Sequence, residues 1–356
     1  MIWLFLVCLV VLVSLLEQCT AEWAMDHLQY SCSCDKPLVE PDEVLTLTTS
    51  LENHWYLPIL YVRLTKHLPQ DATLMQSENW TAPQPHAASS DVNTEEITCL
   101  FPHRRQISQM QFSLPCRGWH HLGTATLLTG DFLGLNETSQ RLIPLCGVSV
   151  IPRRCESPDV LRTLGGFLGN ISVRRFILED PILTIGVREY TGREPMKSIS
   201  WPHSARSGQL LVKQYDYTVE ATATVLLNVE GGHWEQLEQC YSMVRTVCEE
   251  LENKGIPYDF RSNGDLIGPM GLVTHVGEGL GHQHLQTILY SLGRANYRCK
   301  HPLSQMIRRS LRSARPNQSY LVVTPPPSPD QQQLIDQLKI ASGSPVCVLV
   351  CEEVTA

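Results

Sequence analysis

The sequence predicts an α+β multidomain chain: an N-terminal membrane helix, then an all-β sandwich, then a doubly wound α/β domain. Three observations carry that expectation. The chain opens on "MIWLFLVCLVVLVSLL", sixteen residues with Ser14 as the one polar interruption. Segments that alternate apolar and polar residues with period two come next, the mark of half-buried strands. The second half then alternates continuous apolar runs with segments of helical spacing, as buried parallel strands and their covering helices do.

Taken in order, the opening run spans about 24 Å as a helix, slightly short of a hydrocarbon core of about 30 Å. A cleaved signal peptide requires a basic leading region, and none precedes the run. Residues 1–18 are therefore read as a single-pass anchor, with a signal peptide as the alternative. No Lys or Arg flanks the segment to fix its orientation. "EVLTLTTSLEN" (Glu43–Asn53) and "WYLPILYVRLTKHLP" (Trp55–Pro69) then alternate as strands. The stretch Met75–Glu96 is polar and aperiodic, which suits a loop. Strand-like pieces resume at "ITCLF", "ISQMQFSLP" and "GTATLLTGDFLGL". Short strands with turn signals between them predict an immunoglobulin-like sandwich over residues 25–155.

Beyond a connector at residues 156–215, the pattern changes. "ATATVLLNVE" (Ala221–Glu230) is a continuous apolar run, expected of a central parallel strand. "HWEQLEQCYSMVRTVCEELENKG" (His233–Gly255) carries helical spacing and stops at a glycine. "PYDFRSN" and "GLVTHV" read as further strands, and His284–Ala295 as a helix. Gln318–Pro325 is another buried strand, Ser328–Gly343 its helix, and "SPVCVLVCEE" the last strand. Strand alternating with helix predicts an α/β domain over residues 216–356.

Composition narrows the function classes. Hydrophobic residues at 43% and charged residues at 18% suit a globular chain. A net charge of -8 gives no general attraction to nucleic acid, which is not expected as a partner. The thirteen cysteines are odd in number and irregularly spaced, which favours a reducing compartment over a disulfide framework. Cys347 and Cys351 share one side of a strand and read as small core thiols.

Motifs for chemistry are incomplete. "VGEGLGHQHL" (Val276–Leu285) fits neither glycine-rich phosphate pattern and reads as a tight connection into a helix. His282 and His284 lack a third ligand at metal spacing, as does the "WHH" of Trp119–His121. An active site in a cleft beside His282 and His284 is the enzymatic alternative, but no nucleophile and base can be paired there. Doubly wound domains hold ligands at the carboxyl ends of their strands. Asn228 and Glu230 stand there as weak oxygen candidates for a hard cation, against the reading of a plain strand-end turn. No catalytic constellation is complete, so neither enzyme activity nor a cofactor is expected.

The most distinctive segment is "REYTGREPMKSISWPHSARSGQLLVKQYD", Arg188–Asp216. It resembles the signature of the bacterial "domain of unknown function 58" family, roughly R-E-Y-x-x-G-D-x-x-R-x-I-x-W-x-x-S-A-R-x-G-x-L-x-V-K. Arg188, Glu189, Tyr190, Ile199, Trp201, Ser204, Ala205, Arg206, Gly208, Leu210, Val212 and Lys213 match it. "RGWHHLGTATLLTGDFLGL" is similar to the family's upstream motif, with Cys116 in place of its first arginine.

The resemblance implies one or two membrane helices, a β-sandwich and a degenerate von Willebrand factor A-like domain at residues 216–356. It also implies a MoxR-type AAA+ ATPase as partner, often with a transglutaminase-like membrane protein. The expected function is a membrane-anchored, non-enzymatic interaction module for assembly or maturation of an envelope complex. The expected location is the cell membrane, single-pass, with the remaining chain in the cytoplasm. Several departures stand out. Pro202 and His203 sit where the family has Lys or Ala. Asn228-Val229-Glu230-Gly231-Gly232 occupies the place of the metal-binding D-x-S-x-S, and Thr324-Pro325 that of a later Asp. A metal-dependent adhesion domain with a rebuilt cation site is the alternative function. Arg188, Glu189, Tyr190, Trp201, Ser204, Arg206, Gly208 and Lys213 are expected to dock a partner or to pin the two domains together.

Overall fold

The computed structural model describes residues 23–77, 92–130, 137–175, 184–215, 221–267, 274–315 and 318–351. The chain divides into two compact units, Met1–Ile151 and Pro152–Ala356. The anchor expected at residues 1–18 lies outside the described residues. Among the described residues, no helix is long and apolar enough to cross a membrane.

Among the described residues, the regular structure of the first unit is all strand after one helical turn at residues 23–26. Its strands are β1 (Leu28–Cys34), β2 (Leu38–Val39), β3 (Val44–Asn53), β4 (Ile59–Leu68), β5 (Thr73–Ser77) and β6 (Val92–Leu100). They continue as β7 (Arg105–Ser113), β8 (Gly118–Leu122), β9 (Ala125–Gly130), β10 (Glu137–Leu142) and β11 (Cys146–Val150). Two four-stranded antiparallel sheets, in the orders β1-β3-β7-β5 and β10-β9-β4-β6, face one another as a sandwich-like pair. The period-two pattern decides which side chains go inside. Leu45, Leu47 and Leu51 of β3 and Val62, Leu64 and Leu68 of β4 are buried.

The same alternation turns Lys66 inward. A polar seam forms around it and separates two apolar clusters, one about Phe112 and Leu47, the other about Val62 and Leu127. Lys66 Nζ donates to Glu96 Oε2 at 3.0 Å and to Ser108 Oγ. Glu96 Oε1 accepts from Gln106 Nε2 at 2.8 Å, and the Gln106 oxygen accepts from Thr98. A buried ion pair is tolerated only when its remaining polar atoms are also paired, and here they are.

The second unit begins with α1 (Pro158–Arg175), β12 (Thr184–Glu189), α2 (Trp201–Ser207) and β13 (Leu211–Tyr215). It continues with β14 (Thr222–Leu227), α3 (Trp234–Asn253), β15 (Tyr258–Ser262), β16 (Gly264–Leu266), β17 (His275–Gly279) and α4 (His282–Gly293). The last elements are β18 (Ala295–Cys299), α5 (Leu303–Arg312), β19 (Gln318–Thr324), α6 (Pro329–Ser342) and β20 (Val346–Val350). A five-stranded sheet has the order β17-β15-β14-β19-β20, parallel except for β17. Every residue of β14 and β19 is buried. On one face, Leu226, Tyr320 and Val322 pack against Leu303, Met306 and Ile307 of α5 and Ile335 and Leu338 of α6. The alternate residues of the same strands face the opposite side, where α3 lies against β14 and β19.

Several elements differ from the sequence expectation, and the polar stretch read as a loop from Met75 to Glu96 overlaps β5 and β6 at its ends. The glycine-rich Val276–Gly279 belongs to the edge strand β17 rather than to a loop. The connector at 156–215 contains α1 and the paired strands β12 and β13. Gly165, Gly166 and Gly169 lower helix propensity within α1, which hides it from a periodicity reading. Finally, α5 follows Pro302 as its N-cap and was not expected.

Lys66→Met leaves the Glu96 carboxylate without its counter-charge. The expected cost is about 3 kcal/mol, the low end for a broken buried pair. Glu96 keeps its Gln106 hydrogen bond, and its side chain is 14% exposed. Urea unfolding should show this loss, and adding Glu96→Gln to the same chain should recover most of it.

Candidate functional site

The signature segment folds as one local unit. β12 and β13 pair antiparallel, with Glu189 opposite Leu211 and Val187 opposite Lys213. The pairing is extended by Tyr190 N, which donates to Leu210 O at 2.9 Å. The turn beyond it is gathered on Glu194. That carboxylate accepts from Arg188 Nη1 at 2.6 Å, from Thr191 Oγ1 at 2.8 Å and from Thr191 N at 3.1 Å. The Thr191 hydroxyl first, with the Arg188 guanidinium, holds the Glu194 carboxyl at about 2, below its ordinary 4.5.

The chain then returns along β13. Ile199 bridges Val212, and Ser200 N donates to Leu211 O at 2.8 Å. Ser204 sits at the centre of this return and is buried. Its hydroxyl donates to Ser200 O at 2.9 Å and accepts from Leu211 N at 2.8 Å. It therefore ties α2 to the first residue of β13. Gly208 closes α2 in the left-handed region, at φ 70°, with its amide on Ser204 O at 3.0 Å. Glycine suits that position because a Cβ is strained there.

The other predicted side chains face away from this frame. Trp201 is 59% exposed at the first turn of α2. Arg188, Glu189, Arg206 and Lys213 are exposed, and Tyr190 is half-buried. Met196 and Lys197, which the sequence reading did not single out, are exposed beside them in the chain, as is the signature's Leu210. Between Thr184 and Tyr215 there are five basic residues (Arg188, Arg193, Lys197, Arg206, Lys213) and two acidic ones (Glu189, Glu194). The excess of three positive charges stands out in a chain of net charge -8.

The two cation candidates lie at the carboxyl end of β14, where protein donors already engage Asn228 and one oxygen of Glu230. Asn228 is fully buried. Its Oδ1 accepts from Asn263 Nδ2 at 2.7 Å and from Glu230 N at 3.1 Å. Its Nδ2 donates to Thr324 Oγ1 at 2.9 Å. Asn263 Oδ1 accepts from Val229 N at 2.8 Å. Glu230 Oε2 accepts from Leu303 N at 2.8 Å, so this carboxylate caps α5. A Cβ on Gly232 would approach Leu237 Cδ2 to 2.8 Å, so a serine there would require the Leu237 side chain to shift. A hard cation needs six or more oxygens with free lone pairs. The pair Asn228 and Glu230 does not offer that set, and no group of three His, Cys, Asp or Glu side chains suited to a metal occurs among the described residues.

The histidine pair is likewise divided. His284 Nε2 contacts Tyr258 O at 3.0 Å and its ring meets the Tyr258 ring edge-on, at 4.8 Å between centroids. His282 Nε2 contacts Gln286 Nε2 at 2.9 Å on the exposed side of α4. The Gly281 amide, where a phosphate would sit, already donates to Glu252 Oε2 at 2.9 Å. Burial pushes the neighbouring Tyr258 hydroxyl far above its usual range.

No protein-family model matches the chain. The uncharacterized protein YeaD of Bacillus subtilis (strain 168) is 21% identical over 340 residues, covering 94% of this chain and 78% of that protein. Among solved structures, a non-cellulosomal cohesin from the hyperthermophilic archaeon Archaeoglobus fulgidus is 10% identical over 34% of this chain and 89% of its own, at a TM-score of 0.23. The alkylpurine DNA glycosylase AlkC of Pseudomonas fluorescens is 9% identical over 33% of this chain and 30% of its own, at a TM-score of 0.19. Likeness at such scores carries no argument.

Two measurements follow from the geometry. Ser204→Ala removes the acceptor of Leu211 N and should cost about 1–3 kcal/mol. Gly208→Ala should cost about 1–2 kcal/mol through left-handed strain. Trp201→Ala and Arg206→Ala should stay within about 0.5 kcal/mol of the parent, as exposed substitutions do. Chemical unfolding of the four variants distinguishes the two groups.

The second measurement is the carboxyl titration of Glu194 by NMR. Its folded pKa of about 2 lies below the ordinary 4.5, so its contribution is whole above about pH 4.5 and is lost as pH falls through about 2. Thr191→Val should raise the titration most and Arg188→Ala should raise it less.

Proposed function

We propose that the chain is a membrane-anchored, non-enzymatic interaction module that docks a MoxR-type AAA+ ATPase during assembly or maturation of an envelope complex. Its first unit is then an immunoglobulin-like sandwich and its second a degenerate von Willebrand factor A-like domain of the "domain of unknown function 58" family. The single observation that carries the reading is the division of labour within Arg188–Lys213. Ser204 and Gly208 fix the backbone, while Trp201, Arg206 and Lys213 of the same signature are left exposed.

An exposed tryptophan beside arginines on a pre-formed frame has the composition of an interface hot spot. Its surplus of positive charge suits a partner surface rich in carboxylates. Arg forks pair with such groups bidentately. Three further features support the family reading. Numbered by chain order within the sheet, the five strands run 3-2-1-4-5, the order of a doubly wound fold. The strand-end position that holds ligands in such folds is filled by Asn228, Asn263 and Thr324. The apolar run at residues 1–16 suits an anchor.

The test is co-purification of the tagged chain from its host's membranes, wild type against Trp201→Ala and Arg206→Ala. The expected result is an AAA+ ATPase with the wild type and a loss of about tenfold or more with either folded variant, the size of a truncated hot spot. Full retention by the folded variants would place the docking site elsewhere. Absence of any such ATPase from the wild type overturns the partner itself.

A further inference from the structure

One end of the first unit carries aromatic side chains that its fold leaves uncovered. Three pieces of chain meet there. β1 starts with Leu28 opposite Asn53 at the end of β3, β7 starts with Arg105 opposite Glu52, and β4 starts with Ile59 opposite Leu100 at the end of β6. The start of the described chain, the β3–β4 loop and the β6–β7 loop therefore share this end. Trp23 is 57% exposed, Tyr56 82%, Leu57 45% and Phe101 62%. Large apolar side chains grouped in this way mark an interaction surface.

The end is built rather than incidental. Fully buried Asn53 joins both loops: its Nδ2 donates to Leu57 O at 3.0 Å, Leu100 O at 3.2 Å and Phe101 O at 3.3 Å. Its Oδ1 accepts from Trp55 N at 2.8 Å. Tyr56 meets His103 edge-on at 5.1 Å, and Trp55 stacks on His27 at 6.0 Å. Immediately after Trp23, Ala24 and Met25 are buried in the core. The polypeptide that follows the apolar run is thus fastened into the same end that carries the aromatics. Seven residues, and so eight Cα-to-Cα steps, separate Leu16 from Ala24. Fully extended, they reach at most about 28 Å.

We propose that this end of the sandwich lies in the headgroup layer of the bilayer that takes up residues 1–16, with Trp23, Tyr56, Leu57 and Phe101 at the interface. The proposal rests on the membrane-anchor part of the function above. Tyr and Trp are the side chains that settle at that depth, where one end of the ring meets water and the rest meets lipid. Exposed Arg104, next to His103 in the same loop, supplies a cation for lipid phosphates. The short tether keeps these loops within reach of the surface and leaves a protein partner less room to cover them.

The full chain is reconstituted into phosphatidylcholine vesicles with a photo-reactive phenylalanine analogue at position 101, at position 56, or at position 71 in the β4–β5 turn of the opposite end. An alkaline carbonate wash first reports whether the chain is held by the bilayer. The expected result is a retained chain with lipid adducts at positions 101 and 56 and none at position 71. Removal by the wash overturns the anchor and this inference together. A retained chain with no lipid adduct at 101 or 56 overturns the inference alone. So do adducts to residues 1–22 of the same chain or to a second copy, which would identify those as the occupants.

Discussion

Complete burial of β14 and β19 is the constraint from which the second unit follows. Strands covered on both faces have no water for their polar groups, so each must find a partner inside the protein. At the strand starts, Thr224 donates to Asp259 at 2.5 Å, Arg261 pairs with the same carboxylate at 2.7 Å, and Gln318 donates to Thr224. At the strand ends, Asn228, Asn263 and Thr324 do the equivalent. A charged side chain in place of Asn228 would have to be paired or solvated there. The amide satisfies donors and acceptors at once and ties the strand ends together.

The docking surface proposed above lies elsewhere, on the segment ahead of β14. The segment from β12 to β13 combines a frame held by its own hydrogen bonds with outward Trp201, Arg206 and Lys213. Because Ser204 and Glu194 fix the backbone locally, a partner that docked here would have little backbone left to order. Pre-organisation of this kind raises affinity without enlarging the contact. In the first unit, Asn53 has the corresponding role, joining two loops whose aromatic side chains remain exposed.

The structure also separates two uses of charge. Lys66 and Glu96 are enclosed between the sheets, where geometry and paired neighbours decide their worth. Arg188 and Glu194 meet at the surface, where solvent screens them and their effect is to shape a turn. Both are ion pairs in a contact map, yet only the first is expected to weigh heavily on folding.

The sequence by itself determined the alternating strands of the first unit and the main buried strands of the second, with several of the helices between them. Period-two alternation in Val44–Asn53 and Ile59–Leu68 and the continuous apolar runs of β14 and β19 are local patterns, so no tertiary contact was needed to read them. Helix α3 was legible for the same reason, with Gly255 marking its end. Helix α1 was not, because three glycines weaken its local signal and it forms by packing on α3 and β20. The candidate site was legible as a list of residues and not as an arrangement. Only the fold decided that Ser204 turns inward, that Trp201 turns outward, and that Asn228 and Glu230 are taken by Asn263 and Leu303. The burial of Asn228 and the capping by Glu230 depend on partners far away in sequence, whose approach no local pattern encodes, whereas Ser204 is held by its near neighbours Ser200 and Leu211.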